Sequence, residues 1–128
     1  MDSTNVLDGK RILVVEDDYF MVAEVIERLK SSGAQVAGPF ASMEDASSYI
    51  SLGKTFDIAM LDVNVGGRMI FPFAETLQAQ GIPLVFVTGY CEVDIPDSLR
   101  KVARFTKPVD CYSAWNIDPS LGEIGIQY

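Results

Sequence analysis

Two kinds of apolar pattern alternate along this chain. Short, largely β-branched runs, Ile12-Leu-Val-Val, Ile58-Ala-Met-Leu and Leu84-Val-Phe-Val, read as buried strands. Between them, apolar positions recur at helical spacing. From Asp18, Val22, Val25, Ile26 and Leu29 form one stripe opposed by Glu24 and Glu27, and Gly33 stops the helix. Ser42 followed three residues later by Asp45 resembles a capping box, opening a helix that buries Ala46, Tyr49 and Ile50 and ends at Gly53. Pro72 suits the first turn of a helix from about Phe71, with Phe73, Ala74 and Leu77 inward and Gly81 as its stop. The pattern predicts strands over Lys10–Val15, Gln35–Phe40, Phe56–Leu61, Pro83–Val87 and Arg104–Thr106. Strand and helix in alternation imply an α/β domain with a parallel sheet.

The later part of the chain is less regular. Only one or two helical turns fit after Pro96, and a helix fits from about Asp110 to Asn116. The Gly-punctuated stretch Leu121–Tyr128 has no helical period. The organisation expected is a flexible segment 1–9, one compact domain over 10–118, and a tail 119–128 to which the pattern assigns no element.

Four of the five strands end on a polar group. Glu16-Asp17 follows the first, Asp62 the third, Thr88 the fourth and Lys107 the fifth. In an open parallel sheet, residues just past the carboxyl ends of neighbouring strands converge on one crevice. Carboxylates, a hydroxyl and an amine gathered there suit a metal-bound phosphoryl group.

Composition narrows the chemistry. The chain has 128 residues and a formal charge of -8, which argues against nucleic acid and anionic membrane as partners. Histidine is absent, so no Ser-His-Asp or Cys-His catalyst and no histidine metal site can form. Catalysis falls to carboxylates, Lys107, hydroxyls and a hard cation. Cys91 and Cys111 have neither disulfide-framework nor metal-ligand spacing, which fits a reduced, cytoplasmic setting. No targeting pattern opens the chain, and no apolar run approaches the roughly 20 residues that span a bilayer.

Val14-Val-Glu-Asp-Asp, Met60-Leu-Asp-Val-Asn, Val87-Thr-Gly-Tyr and Phe105-Thr-Lys-Pro together resemble, in order, the signatures of two-component response-regulator receiver domains. The likeness covers roughly Lys10 to Val109. It implies the flavodoxin-like, doubly wound, five-stranded sheet of order 2-1-3-4-5. It implies Asp62 as acceptor of a phosphoryl group from a histidine kinase or histidine phosphotransfer protein, and Mg²⁺ held by Asp17, Asp62, the Asn64 carbonyl and, through water, Glu16. Thr88 and Lys107 would meet the transferred oxygens, and Lys107-Pro108 would be cis. Such a protein is a signalling phosphoacceptor rather than an enzyme acting on other substrates, and its output is contact with another protein. Phe86-Val-Thr-Gly further resembles the Phe-Ala-Thr-Gly stretch of a single-domain alphaproteobacterial subgroup.

Singly, these residues have plain readings: strand-end carboxylates cap helices, a threonine fills a turn, a lysine is solvated. Four together in order outweigh them. The chain also departs from the family. Arg104 stands where many receivers carry an aromatic switch residue, the loop after Asp62 lacks a common proline, and Gly66-Gly67 predict a mobile loop there. Short last helices put the usual dimer surface in doubt and leave a homodimer open. Phe20 or Tyr19 is expected to contact a partner while the other packs inward. The alternative is a pseudo-receiver, a binding module without a phosphorylation cycle. A flavin carrier is disfavoured because Glu16-Asp17-Asp18 would repel the flavin phosphate, and an aspartate phosphatase because Asn64 cannot donate a carboxyl proton.

Overall fold

A computed structural model describes residues 7–88 and 95–106. The chain order is β1 (Arg11–Val15), α1 (Tyr19–Ser31), β2 (Gln35–Phe40), α2 (Met43–Ser51), β3 (Ile58–Asp62), β4 (Asn64–Val65), β5 (Arg68–Met69), α3 (Phe71–Ala79), β6 (Leu84–Thr88), a 3-10 turn (Asp97–Leu99) and β7 (Ala103–Thr106). Five strands form one parallel sheet in the order β2-β1-β3-β6-β7, and β4 and β5 pair antiparallel as a separate hairpin. Counted among the sheet strands alone, this is the expected 2-1-3-4-5 order.

The continuous apolar runs follow from helices on both faces. Ile12, Val14, Met60, Val85 and Val87 point to one face, where Val22, Val25 and Leu29 of α1 cover them. Leu13, Val15, Ala59, Leu61, Leu84 and Phe86 point to the other, against Ala46 of α2 and Phe71, Ala74 and Leu77 of α3. Side-chain alternation along each strand thus feeds two separate cores, and residues 12–15 are buried without exception. Each fully buried Leu or Phe contributes about 1.5–3 kcal/mol through lost apolar hydration. The edge strand β2 breaks the rule, with only Ala37 buried.

Local signals behave as the sequence predicts. Ser42 Oγ accepts from Asp45 N–H at 3.1 Å and caps α2. Gly33, with φ +86°, closes α1 while Ala34 N–H donates to Leu29 C=O at 3.0 Å.

Three expectations change. The third and fourth strands extend to Asp62 and Thr88, so the candidate acceptor lies within the backbone ladder, paired with Val87. The loop expected to be mobile after Asp62 is the β4–β5 hairpin, rooted by buried Val63, Val65 and Ile70. Residues 7–9 of the expected flexible segment form a turn, and Leu7, 2 % exposed, packs into the α1-side core. The expected helix at 110–116, the tail, Cys91, Cys111, Lys107 and the Lys107-Pro108 bond lie outside the described residues.

Candidate functional site

The site assembles where β1 and β3 end side by side. Their register, Val14 beside Met60 and Val15 beside Leu61, delivers Glu16, Asp17 and Asp62 to the same edge of the sheet. One carboxylate oxygen from each lies within 4.8 Å of the others. Glu16 and Asp62 are 4 % and 5 % exposed, whereas Asp17 is exposed.

Backbone amides order the three groups. Glu16 Oε2 accepts from Asp18 N–H at 2.9 Å as the chain turns into α1. Asp62 Oδ1 accepts from Asn64 N–H at 3.3 Å. Asp17 Oδ2 accepts from Gly66 N–H, at the hairpin tip, at 2.8 Å. Three like charges crowded at a partly dehydrated strand edge repel one another, and a cation relieves both the repulsion and the lost hydration.

The donor set fits a hard divalent ion. All of its ligand atoms are oxygens, as Mg²⁺ or Ca²⁺ requires, and the open side left by exposed Asp17 admits the waters that Mg²⁺ retains. Asn64 occupies the non-hydrogen-bonded position between the Val63–Ile70 and Val65–Arg68 pairings, so its carbonyl points out of the hairpin ladder.

The structure brings together Glu16, Asp17, Asp62 and the Asn64 backbone. Thr88 ends β6 one residue past Val87, the partner of Asp62, and it pairs with Thr106 of β7. The expected Lys107 follows Thr106 in the chain. Arg104 is exposed on β7, in register with Phe86. Phe20, in the first turn of α1 beside the carboxylates, is 86 % exposed, as expected of one member of the Tyr19–Phe20 pair.

A cavity of about 720 Å³ lies between the starts of β6 and β7 and the 3-10 turn, lined by residues including Gln78, Pro83, Asp97 and Arg100. It is at the end of the sheet away from the carboxylates. Charge convergence rather than cavity size marks the site.

Sequence reasoning missed the Gly66 amide and the pair formed by Arg68 with Glu44 of α2. A signal existed. Gly66-Gly67 between Val65 and Arg68 is a two-residue hairpin signature, since both positions of a type I′ turn need positive φ.

Solved structures share this fold. SdrG from Sphingomonas melonis Fr1 is 29 % identical, with 79 % of this chain and 86 % of that chain covered, at a TM-score of 0.69. The BeF3-activated conformation of SdrG from Pseudomonas melonis Fr1 is 28 % identical, covering 85 % of this chain and 88 % of that one, at 0.66. The signal receiver domain of a modulated diguanylate cyclase from Desulfovibrio desulfuricans G20 is 29 % identical over 80 % of this chain and 84 % of its own, also at 0.66. The chain is a response-regulator receiver domain.

No family model matches this receiver. Among curated proteins, the transcriptional regulatory protein PdtaR of Mycobacterium tuberculosis is 22 % identical over 113 residues, which is 88 % of the receiver and 55 % of PdtaR. The receiver spans about half the length of the curated relatives it matches. Among its described residues, no helix is long and apolar enough to cross a membrane.

Proposed function

We propose that this receiver accepts a phosphoryl group on Asp62 from a histidine kinase or histidine phosphotransfer protein, in a Mg²⁺-dependent step, and signals through contact with another protein. The observation that carries the reading is the convergence of Glu16, Asp17 and Asp62 at the ends of β1 and β3. Glu16, Asp17, Asp62 and the Asn64 carbonyl are the groups that would hold Mg²⁺. When bound, the ion supplies positive charge that lets an anionic carboxylate approach an anionic phosphoryl group.

An Asp62 carboxylate oxygen attacks phosphorus, a P–O bond forms, and the P–N bond of the phosphohistidine breaks with its electron pair leaving on the imidazole. The product is an aspartyl phosphate. The Thr88 hydroxyl donates a hydrogen bond to one transferred oxygen and the Lys107 ammonium pairs with another. The receiver catalyses its own phosphorylation and hydrolysis and acts on no other substrate. The BeF3-activated SdrG supports this reading, because beryllofluoride on an aspartate mimics an acyl phosphate. A cytoplasmic setting accords with kinase access.

Incubation with acetyl phosphate and Mg²⁺, followed by intact mass measurement, tests the reading. One added phosphoryl mass is expected in the wild type and none in Asp62→Asn. Exposed Arg104, in place of an aromatic switch residue, favours a second reading, the pseudo-receiver without a phosphorylation cycle. An unmodified wild-type mass would favour that one. With phosphorylation observed, Arg104 instead marks an altered relay from site to output face.

A further inference from the structure

The β4–β5 hairpin touches the carboxylate cluster on one side and α2 on the other. Gly66 and Gly67 have φ of +61° and +82°, so the tip turns through left-handed conformations that aim the Gly66 amide at Asp17 Oδ2, 2.8 Å away. Asn64 Oδ1 accepts from Gly67 N–H at 3.1 Å and braces the same turn. Val65, 2 % exposed, roots the hairpin in the α3-side core. From β5, Arg68 pairs with Glu44 in the first turn of α2.

Asp17 is the exposed member of the cluster, the one whose rotamer packing constrains least. A hydrogen bond from an outer group to a metal-ligating carboxylate fixes its orientation and raises affinity. Resting on the metal site proposed above, we infer that the hairpin is a positioning device for the divalent cation. The Gly66 amide orients Asp17, and the Arg68–Glu44 pair holds that amide against the cluster. Arg68, Glu44 and Gly66 thereby set metal affinity without touching the metal.

The sign of one substitution separates this role from plain electrostatics. Arg68 is a cation on the same loop as a metal ligand, so removing it would tighten Mg²⁺ if charge repulsion alone mattered. Positioning requires the opposite.

Mg²⁺ titration calorimetry on the full chain tests the inference without any phosphoryl donor. Arg68→Ala and Glu44→Gln are each expected to weaken binding about threefold, the scale of an exposed ion pair. The double variant should be no weaker than either single one, because both remove the same link. Gly66→Pro, which lacks the amide hydrogen and cannot adopt positive φ, should cost about tenfold. Gly66→Asn keeps the amide and tolerates that conformation, so it should stay within about twofold. Unchanged or tighter binding by Arg68→Ala overturns the inference alone. A wild type that binds no Mg²⁺ overturns it together with the metal site it rests on.

Discussion

The two ends of the sheet carry polar clusters of opposite character. At the ends where the strands start, Arg11 is matched: its guanidinium donates to Gln35 Oε1 at 3.0 and 3.3 Å and to the Thr55 carbonyl at 3.5 Å. Its backbone exchanges bonds with Asp57, N–H to Oδ2 at 2.8 Å and C=O from the Asp57 N–H at 2.7 Å. At the other end Glu16, Asp17 and Asp62 crowd within 4.8 Å with backbone amides as their donors. A polar cluster whose donors and acceptors complement one another inside the chain serves the fold. A cluster of one sign, partly dehydrated, is arranged for something that arrives from outside, because the folded chain would be more stable without the repulsion.

The sharpest break of that contrast is Asp62→Asn, whose similar shape leaves the fold intact while its amide is a poor nucleophile. Loss of all phosphoryl uptake by mass is expected, and labelling retained on another residue would move the acceptor. Asp17→Ala comes next. Removing a charged ligand from a site with few of them should weaken Mg²⁺ about tenfold or more in calorimetric titration. At the strand-start end, Asp57→Ala should cost about 1 kcal/mol in urea unfolding, the worth of its hydrogen bond, and leave Mg²⁺ affinity unchanged. A change in affinity there would dissolve the distinction between the two ends.

The smallest effect concerns pH. The hydrogen bond from Arg68 holds the Glu44 carboxyl below its usual 4.5. A carboxyl depressed by folding stabilises above its unfolded value and loses that contribution as pH falls through the lower, folded one. The small advantage of wild type over Arg68→Ala in urea midpoint should therefore be constant from about pH 6 to 8 and fade as pH falls below 4.5, because the pair is solvent-screened and weak. An advantage that survived in acid would show that Arg68 acts through something other than Glu44.

The features of this receiver that are legible in its sequence share a physical basis. Continuous runs such as Ile12-Leu-Val-Val and Ile58-Ala-Met-Leu are tolerated only where both faces are covered, so they announce a parallel sheet. Ser42 and Gly33 mark helix ends because their side chain, or lack of one, solves a local hydrogen-bonding or steric problem. Glu16, Asp17 and Asp62 can be grouped because strand ends of one sheet face one crevice. The hairpin is harder to see because two adjacent glycines suggest freedom, whereas paired positive φ makes them a tight turn. Leu7 is hidden because an isolated apolar pair, Val6-Leu7, in a polar segment has no period to reveal it.

What the order of residues settles, then, is local and periodic: which segments pair, which face of each is dry, and which polar groups terminate the strands. Distances between those groups belong to the assembled fold. That Asp17 receives the Gly66 amide, 49 residues away, and that Arg68 finds Glu44 across the hairpin depend on register, turn geometry and the packing of α2, all of them long-range. No short window of sequence contains such a contact, because its energy exists only after the sheet has brought distant stretches together.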